Sequence, residues 1–317
     1  MRVAVFGTGA VGAYFGGRLA QAGEKVTFIA RGENLSALRT HGLRMASIAG
    51  DFHLPAVRAT DDPAQVGPVE VVLLGVKAGQ VVGAAPQLRP LLGPDTLVLP
   101  LQNGVEAAEQ LAAALGPRHV LRGLCRIIVQ QVGPGAFRHS GVAPTLAFGA
   151  LSAPAPPALG PLRAAFRRAG IGVDEPPDLR VALWEKFLFV APFGTVGAAA
   201  RVPMGELLAA PESRALLRAC ATELAAVGRA AGVALPADAV ERVWQLYEQM
   251  PAAGTASMQR DLLAGRPSEL EAQTGAVVRL GQVHRVPTPV HDVLYAVLRP
   301  QEQLAATRPS ASATPTL

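Results

Sequence analysis

Gly7-Thr8-Gly9-Ala10-Val11-Gly12 restricts what this chain can fold into more than any other segment. It follows a short β-prone run, Arg2–Phe6, and opens a helix-compatible stretch from Val11 to Ala22. In a strand–turn–helix of this kind the first glycine makes the tight turn. The second lets a backbone approach a pyrophosphate, and the third lets helix and strand pack closely. The helix N-terminus then faces anionic phosphate. Residues Gly7, Thr8, Gly9, Ala10, Val11 and Gly12 are accordingly read as the turn of a dinucleotide site.

The segments after the turn extend the same pattern. Lys25–Ala30, Val69–Val76, Thr96–Leu101 and Val120–Val132 are apolar or β-branched runs with helix-compatible sequence between them. Strands at this spacing predict βαβ units and a mostly parallel sheet, buried on both faces. A last helix (Leu162–Arg168) and strand (Ile171–Asp174) follow a Pro-rich stretch at 153–157. Beyond Pro176-Pro177 the texture turns helical, with apolar residues at three- and four-residue spacing in Arg180–Val190, Ser213–Ala231, Ala237–Met250, Ser268–His284 and Pro289–Leu298. The expected architecture is an α/β, Rossmann-like N-terminal domain over 1–177 and an all-α domain over 178–305. An Ala/Ser/Thr/Pro tail over 306–317 is expected to be disordered.

Composition excludes several classes of function. Half the residues are apolar and 17% are charged, enough for a core, and no apolar run is unbroken over the ~18 residues of a membrane span. The start of the chain lacks a signal-peptide layout. Two cysteines, Cys125 and Cys220, are too few for a disulfide framework and are expected to be reduced and buried, in a cytoplasmic protein. The net charge of +5 is dispersed, without the basic stripe that nucleic acid requires. Nor does any metal-ligand spacing stand out. Of 29 basic residues only Lys25, Lys77 and Lys186 are lysines. A lysine can release its proton where an arginine cannot, so each of the three is a candidate for chemistry.

Three positions mark the ligand side of the predicted sheet. The second strand ends at Arg31, where an acidic residue would hold an adenosine ribose. A guanidinium pairs instead with a 2′-phosphate, which favours NADPH, although Glu33 nearby leaves NADH open. Lys77 stands just past the Val69–Val76 strand with Gln80 one turn on, both placed to meet the cofactor. Asn103, in Gln102-Asn103-Gly104, follows the next strand; an ordinary Asn-Gly turn is the bland alternative.

With these motifs the chain resembles the ketopantoate reductase (2-dehydropantoate 2-reductase) family. The resemblance rests on the glycine turn with Arg31, Val76-Lys77-Ala78-x-x-Gln80, and Gln102-Asn103-Gly104. It continues in Leu183-Trp184-Glu185-Lys186-Phe187, and in Ser257-Met258-x-x-Asp261 followed by Gly265-Arg266-Pro267-Ser268-Glu269. It implies NADPH-dependent reduction of a 2-oxo acid, ketopantoate to pantoate in coenzyme A biosynthesis being the first choice. Lys186 would be the general acid, Glu269 the carboxylate orienting substrate or lysine, Ser257 a donor to the substrate carboxylate, and Asn103 a contact to substrate or nicotinamide. The chemistry agrees. Hydride reduction builds negative charge on the carbonyl oxygen, which a cationic donor stabilises more in the transition state than before it. The bland readings are a surface cation for Lys186, a capping box from Ser268 to Glu271 for Glu269, and a helix cap for Ser257. The implied partner is a small-molecule 2-oxo acid, with no nucleic acid or membrane, and a homodimer is compatible with the reading.

The departures from the family pattern concern substrate. Positions where the family usually carries asparagine read Val190, Gly194 and Met204, and no asparagine follows Asn103. Fewer amides predict a more apolar pocket that discriminates weakly for a hydroxyl. The alternatives are therefore a paralogue reducing a more apolar 2-oxo acid or ketone, or a non-catalytic NADP-binding sensor.

Overall fold

The computed structural model describes residues 1–307, which divide into two units. One contains Met1–Gln102 and Glu106–Leu179; the other runs from Arg180 onward and includes Asn103–Val105. Of the tail expected over 306–317, residues 308–317 lie outside the described residues, while Ala306 and Thr307 belong to the last helix.

The first unit comprises β1 (Arg2–Phe6), α1 (Ala10–Gln21), β2 (Lys25–Ile29), α2 (Gly32–His41), β3 (Leu43–Ser47), β4 (Phe52–Leu54), β5 (Arg58–Thr60), β6 (Val69–Leu74), α3 (Val81–Ala84), β7 (Leu92–Pro100), α4 (Ala107–Leu115), β8 (Leu121–Gly133), β9 (Ala136–Ala150), α5 (Leu159–Arg168) and β10 (Gly172–Asp174). A five-stranded sheet has the order β5-β2-β1-β6-β7, and every pairing in it is parallel. Residues 71–74 of β6 are fully buried, as a strand covered on both faces requires. From β1 the chain passes first to β2 on one side and later to β6 on the other. The crevice beyond the ends of β1 and β6 is thus the switch point where ligands bind in such sheets.

A second sheet departs from the expectation of a single, mostly parallel sheet. Its order is β10-β9-β3-β4, with β8 paired antiparallel to β9. The runs expected at Val120–Val132 and Ile171–Asp174 therefore supply strands to this sheet, and a single bridge from Val120 to Val98 ties the first run to β7. The cause is the two-residue connection Pro134-Gly135, with Gly135 at φ +67°. A loop that short can join only antiparallel strands, since a parallel crossover needs a dozen residues or more. Strand β9 escapes a periodicity reading because Gly141, at φ +79°, and Pro144 interrupt it. Strands β4 and β5, three residues each, are too short to announce themselves, and β3 carries Arg44, Ala46 and Ser47 where an apolar or β-branched run would mark a strand.

The second unit is helical: α6 (Leu179–Ala200), α7 (Met204–Ala209), α8 (Pro211–Ala230), α9 (Ala239–Glu248), α10 (Ser257–Leu263), α11 (Thr274–His284) and α12 (Pro289–Thr307). Helix α6 runs ten residues beyond the expected end at Val190, through Pro192. Proline removes the N–H that would bond the Leu188 carbonyl. The buried Tyr247 hydroxyl donates instead, at 3.3 Å to Leu188 O and 2.7 Å to Phe189 O. Burial pushes that phenol well above its ordinary range, so it remains a donor. Among the described residues α6 alone is long and apolar enough to cross a membrane, but 72% of that stretch is buried inside the fold. It is a largely buried helix of the second unit. Both cysteines are buried and outside any disulfide.

The helix expected from Ser268 begins only at Thr274. The Glu302 carboxylate accepts from both the N–H and the hydroxyl of Ser268, and Glu271 pairs with Arg279 and Tyr295 instead of closing a capping box. Residues 269–273 form a turn as a result.

Candidate active site

Two of the three motif glycines are demanded by the protein itself. A Cβ on Gly7, which sits at φ +87°, would stand 2.7 Å from the Val76 nitrogen. One on Gly12 would stand 2.6 Å from the Gly7 carbonyl oxygen. Gly9 is different: its nearest neighbour would be the Gly75 carbonyl at 3.8 Å, an ordinary contact. Nothing in the fold forbids a side chain there, and the space beside Gly9 is open to a ligand lying against the turn. Gly9 caps α1, whose first internal bond is Ala13 N–H to Gly9 O, so the N–H groups of Ala10, Val11 and Gly12 precede the helix ladder. With no acidic residue in that turn, the site fits the phosphates of a dinucleotide.

The other predicted cofactor residues differ in what they do. The Thr8 hydroxyl turns inward and donates to Ile29 O at 3.0 Å, so this side chain braces the turn instead of reaching a ligand. Arg31 is exposed at the start of α2 and donates to Gln87 Oε1 at 2.7 Å. Lys77 is exposed just past β6, and its N–H donates to Gln80 Oε1 at 3.2 Å. Gln80 thus braces the lysine's turn. Sequence reasoning missed two amides here. Gln102 donates to the carbonyls of Leu74 and Val76 at 2.8 and 2.9 Å, fixing the end of β6, and its buried Oε1 lacks a partner. Asn34 donates to Thr8 O at 2.6 Å. Its only sequence signal is rarity, since it and Asn103 are the chain's two asparagines.

In the second unit three separate stretches of chain converge. Asn103 Nδ2 donates to Glu269 Oε2 at 3.2 Å, and Gln273 Nε2 reaches the same oxygen at 3.4 Å. Glu269 is half-buried at the head of its turn, where Asp261–Arg266 on one side and Ser268–Glu302 on the other pin the chain. Lys186 is half-buried on α6. Spacing by four places Lys186, Val190 and Gly194 along one stripe of that helix. A Cβ on Gly194 would meet Gln273 Oε1 at 3.3 Å and Met258 Cε at 3.1 Å. Ser257 is exposed at the first position of α10. It does not cap that helix, because Gln259 Oε1 receives the Ala256 N–H.

The three departures from the asparagine pattern therefore have unequal weight. Met204 is fully buried in the core and lines no opening. At Gly194 the missing side chain is replaced by the Gln273 amide, itself 2% exposed, from another segment. Val190 alone is partly open, one turn from Lys186.

An α/β unit of nucleotide-binding topology and a helical unit with a lysine, a carboxylate and amides define a class: a two-unit oxidoreductase acting on CH–OH donors. Comparison with known proteins gives the family. Residues 3–153 match the ketopantoate reductase PanE/ApbA model, and residues 178–302 match the C-terminal model of the same family. The chain belongs to this family. The 2-dehydropantoate 2-reductase of Mycobacterium tuberculosis is 32% identical over 93% of this chain and 96% of its own length. Among solved structures, a PanE/ApbA family ketopantoate reductase from Ralstonia eutropha is 34% identical, with TM-score 0.88 over 96% of this chain and all of the other. The 2-dehydropantoate 2-reductase of Geobacter metallireducens is 31% identical, also at TM-score 0.88, covering 95% and 99%.

Proposed function

We propose that the protein is an NADPH-dependent 2-oxo acid reductase, with ketopantoate as substrate and pantoate as product. The observation that carries this reading is the convergence of Asn103 and Gln273 on the Glu269 carboxylate, at the Gly194 end of the stripe that begins with Lys186. Bound at the glycine turn, NADPH would supply hydride for the carbonyl carbon. Lys186 donates a proton from Nζ to the carbonyl oxygen as negative charge builds there, and the neutral amine is recharged from solvent. Glu269, held by two amides, orients the substrate hydroxyl or the lysine, and Ser257 donates to the substrate carboxylate. Arg31 would hold the 2′-phosphate, the turn's backbone the pyrophosphate, and Lys77 the ribose or phosphate. The relatives named for ketopantoate reduction support the substrate.

A second reading rests on Val190, which offers no hydrogen bond one turn from the proposed acid. In that reading the enzyme takes a more apolar 2-oxo acid. One experiment tests both: NADPH oxidation measured with ketopantoate beside unbranched and aryl 2-oxo acids. Preference for ketopantoate supports the first reading, and preference for an analogue lacking the hydroxyl supports the second. Tight NADPH binding without turnover of any member would leave a sensor.

A further inference from the structure

We infer that Asn34 is a positioning residue for the dinucleotide turn, setting the direction in which the Gly9 N–H points. The inference rests on the proposed cofactor site and adds a side chain that none of the turn's own residues supplies. The turn is held from two directions. The N–H groups of Gly7 and Thr8 both donate to Ile29 O at 3.1 Å, which fixes the peptides entering the bend. The next peptide, from Thr8 to Gly9, is held through its carbonyl by Asn34 Nδ2 at 2.6 Å. In a trans peptide C=O and N–H point in opposite directions. Holding the Thr8 carbonyl toward Asn34 therefore aims the Gly9 N–H away from it.

Asn34 is itself oriented by chemistry. Its Oδ1 accepts the Gly135 N–H at 2.9 Å and Gln131 Nε2 at 3.3 Å, both from the β8–β9 hairpin. Donors on that side require the carboxamide oxygen there and leave the NH₂ for Thr8. The hairpin is a firm anchor, because a Cβ on Gly135 would come within 3.1 Å of the Gly42 carbonyl oxygen. One half-buried amide thus links the phosphate-facing turn of the parallel sheet to the second sheet. Only Asn joins a donor and an acceptor at this reach. Asp keeps the acceptor and loses the donor, and Leu keeps the shape and loses both.

The test is calorimetric binding of NADPH to the full-length wild type, Asn34→Asp and Asn34→Leu, with steady-state kinetics on each. Loss of one neutral hydrogen bond corresponds to roughly three- to tenfold in affinity, so the NADPH Kd is expected to rise by that factor in both variants. For Asn34→Asp the loss is expected to persist at about 0.5 M salt, where a new charge near the phosphates is screened. With NADPH saturating, kcat is expected to stay within about twofold of wild type, since the cofactor, once bound, restores the turn. An NADPH Kd within about twofold of wild type in Asn34→Asp overturns the inference, as does a loss that vanishes at high salt. A drop in kcat with Kd unchanged overturns it as well. Should Asn34→Leu fold poorly, the isosteric Asp variant carries the test. Failure of wild type to bind NADPH would instead sink the cofactor assignment, a distinguishable result.

Discussion

The two units build their candidate sites from different materials. The first presents backbone: glycines, peptide N–H groups and a helix end, with side chains such as Asn34, Gln80 and Gln102 acting as braces. The second presents side chains, Lys186, Glu269, Asn103 and Gln273, on elements that come from distant parts of the sequence. A backbone site is damaged by adding atoms and a side-chain site by removing them. Substitutions in the two units should therefore fail in different ways.

The largest expected effect lies in the second unit. Lys186→Ala should lower kcat by roughly 10²–10⁴, the range for a positioned acid, while calorimetry shows NADPH affinity unchanged. Lys186→Arg should not rescue the rate, because the guanidinium keeps its proton. Near-normal turnover in the arginine variant would mean that charge alone suffices there.

Within the first unit the glycines should separate by mechanism. Gly12→Ala drives a methyl against the Gly7 carbonyl and is expected to destabilise the fold by about 1–3 kcal/mol, seen as a lowered Tm. Gly9→Ala meets no protein atom closer than 3.8 Å and should leave the Tm of the free protein unchanged. It should nonetheless weaken NADPH about tenfold or more, roughly 1.4 kcal/mol. Equal NADPH affinity in Gly9→Ala and wild type would remove the argument that a ligand explains this glycine.

A side chain in the first unit offers an exception to the backbone rule. Arg31→Ala is expected to weaken NADPH about tenfold and NADH hardly at all. Competition binding with both cofactors measures this, and a parallel loss for the two would assign Arg31 a structural role with Gln87.

The smallest effect is on stability and is confined to the second unit. Burial alone would raise the Glu223 carboxyl, but hydrogen bonds from His291 Nδ1 and from the N–H groups of Val290 and His291 outweigh it and hold the carboxyl below its ordinary 4.5. A depressed carboxyl contributes stability that is complete above the unfolded value and is lost as pH falls through the folded one. Wild type should accordingly lose denaturant resistance below about pH 4.5 more steeply than Glu223→Gln. Identical pH profiles for the two would show that this cluster carries no pH dependence.

Sequence alone was enough for the parallel sheet, the glycine turn and the helical second half, because each rests on local rules. Strand periodicity, the φ > 0 requirement at Gly7 and i, i+4 apolar spacing all act within a few residues of chain. Composition marked Lys186 only as one of three lysines, and resemblance alone set it and Glu269 apart, since nothing local distinguishes a reactive lysine from a surface one. Other features depended on tertiary structure. Strands β8 and β9 formed a separate sheet because a two-residue turn dictated their pairing. Helix α6 continued through Pro192 because a tyrosine 59 residues from Leu188 satisfied the freed carbonyl. Gly194 proved to be filled by Gln273, and Met204 to be core. In each case a partner far away in the chain completed a hydrogen bond or occupied a volume, and spacing along a sequence carries no record of which distant atoms will meet.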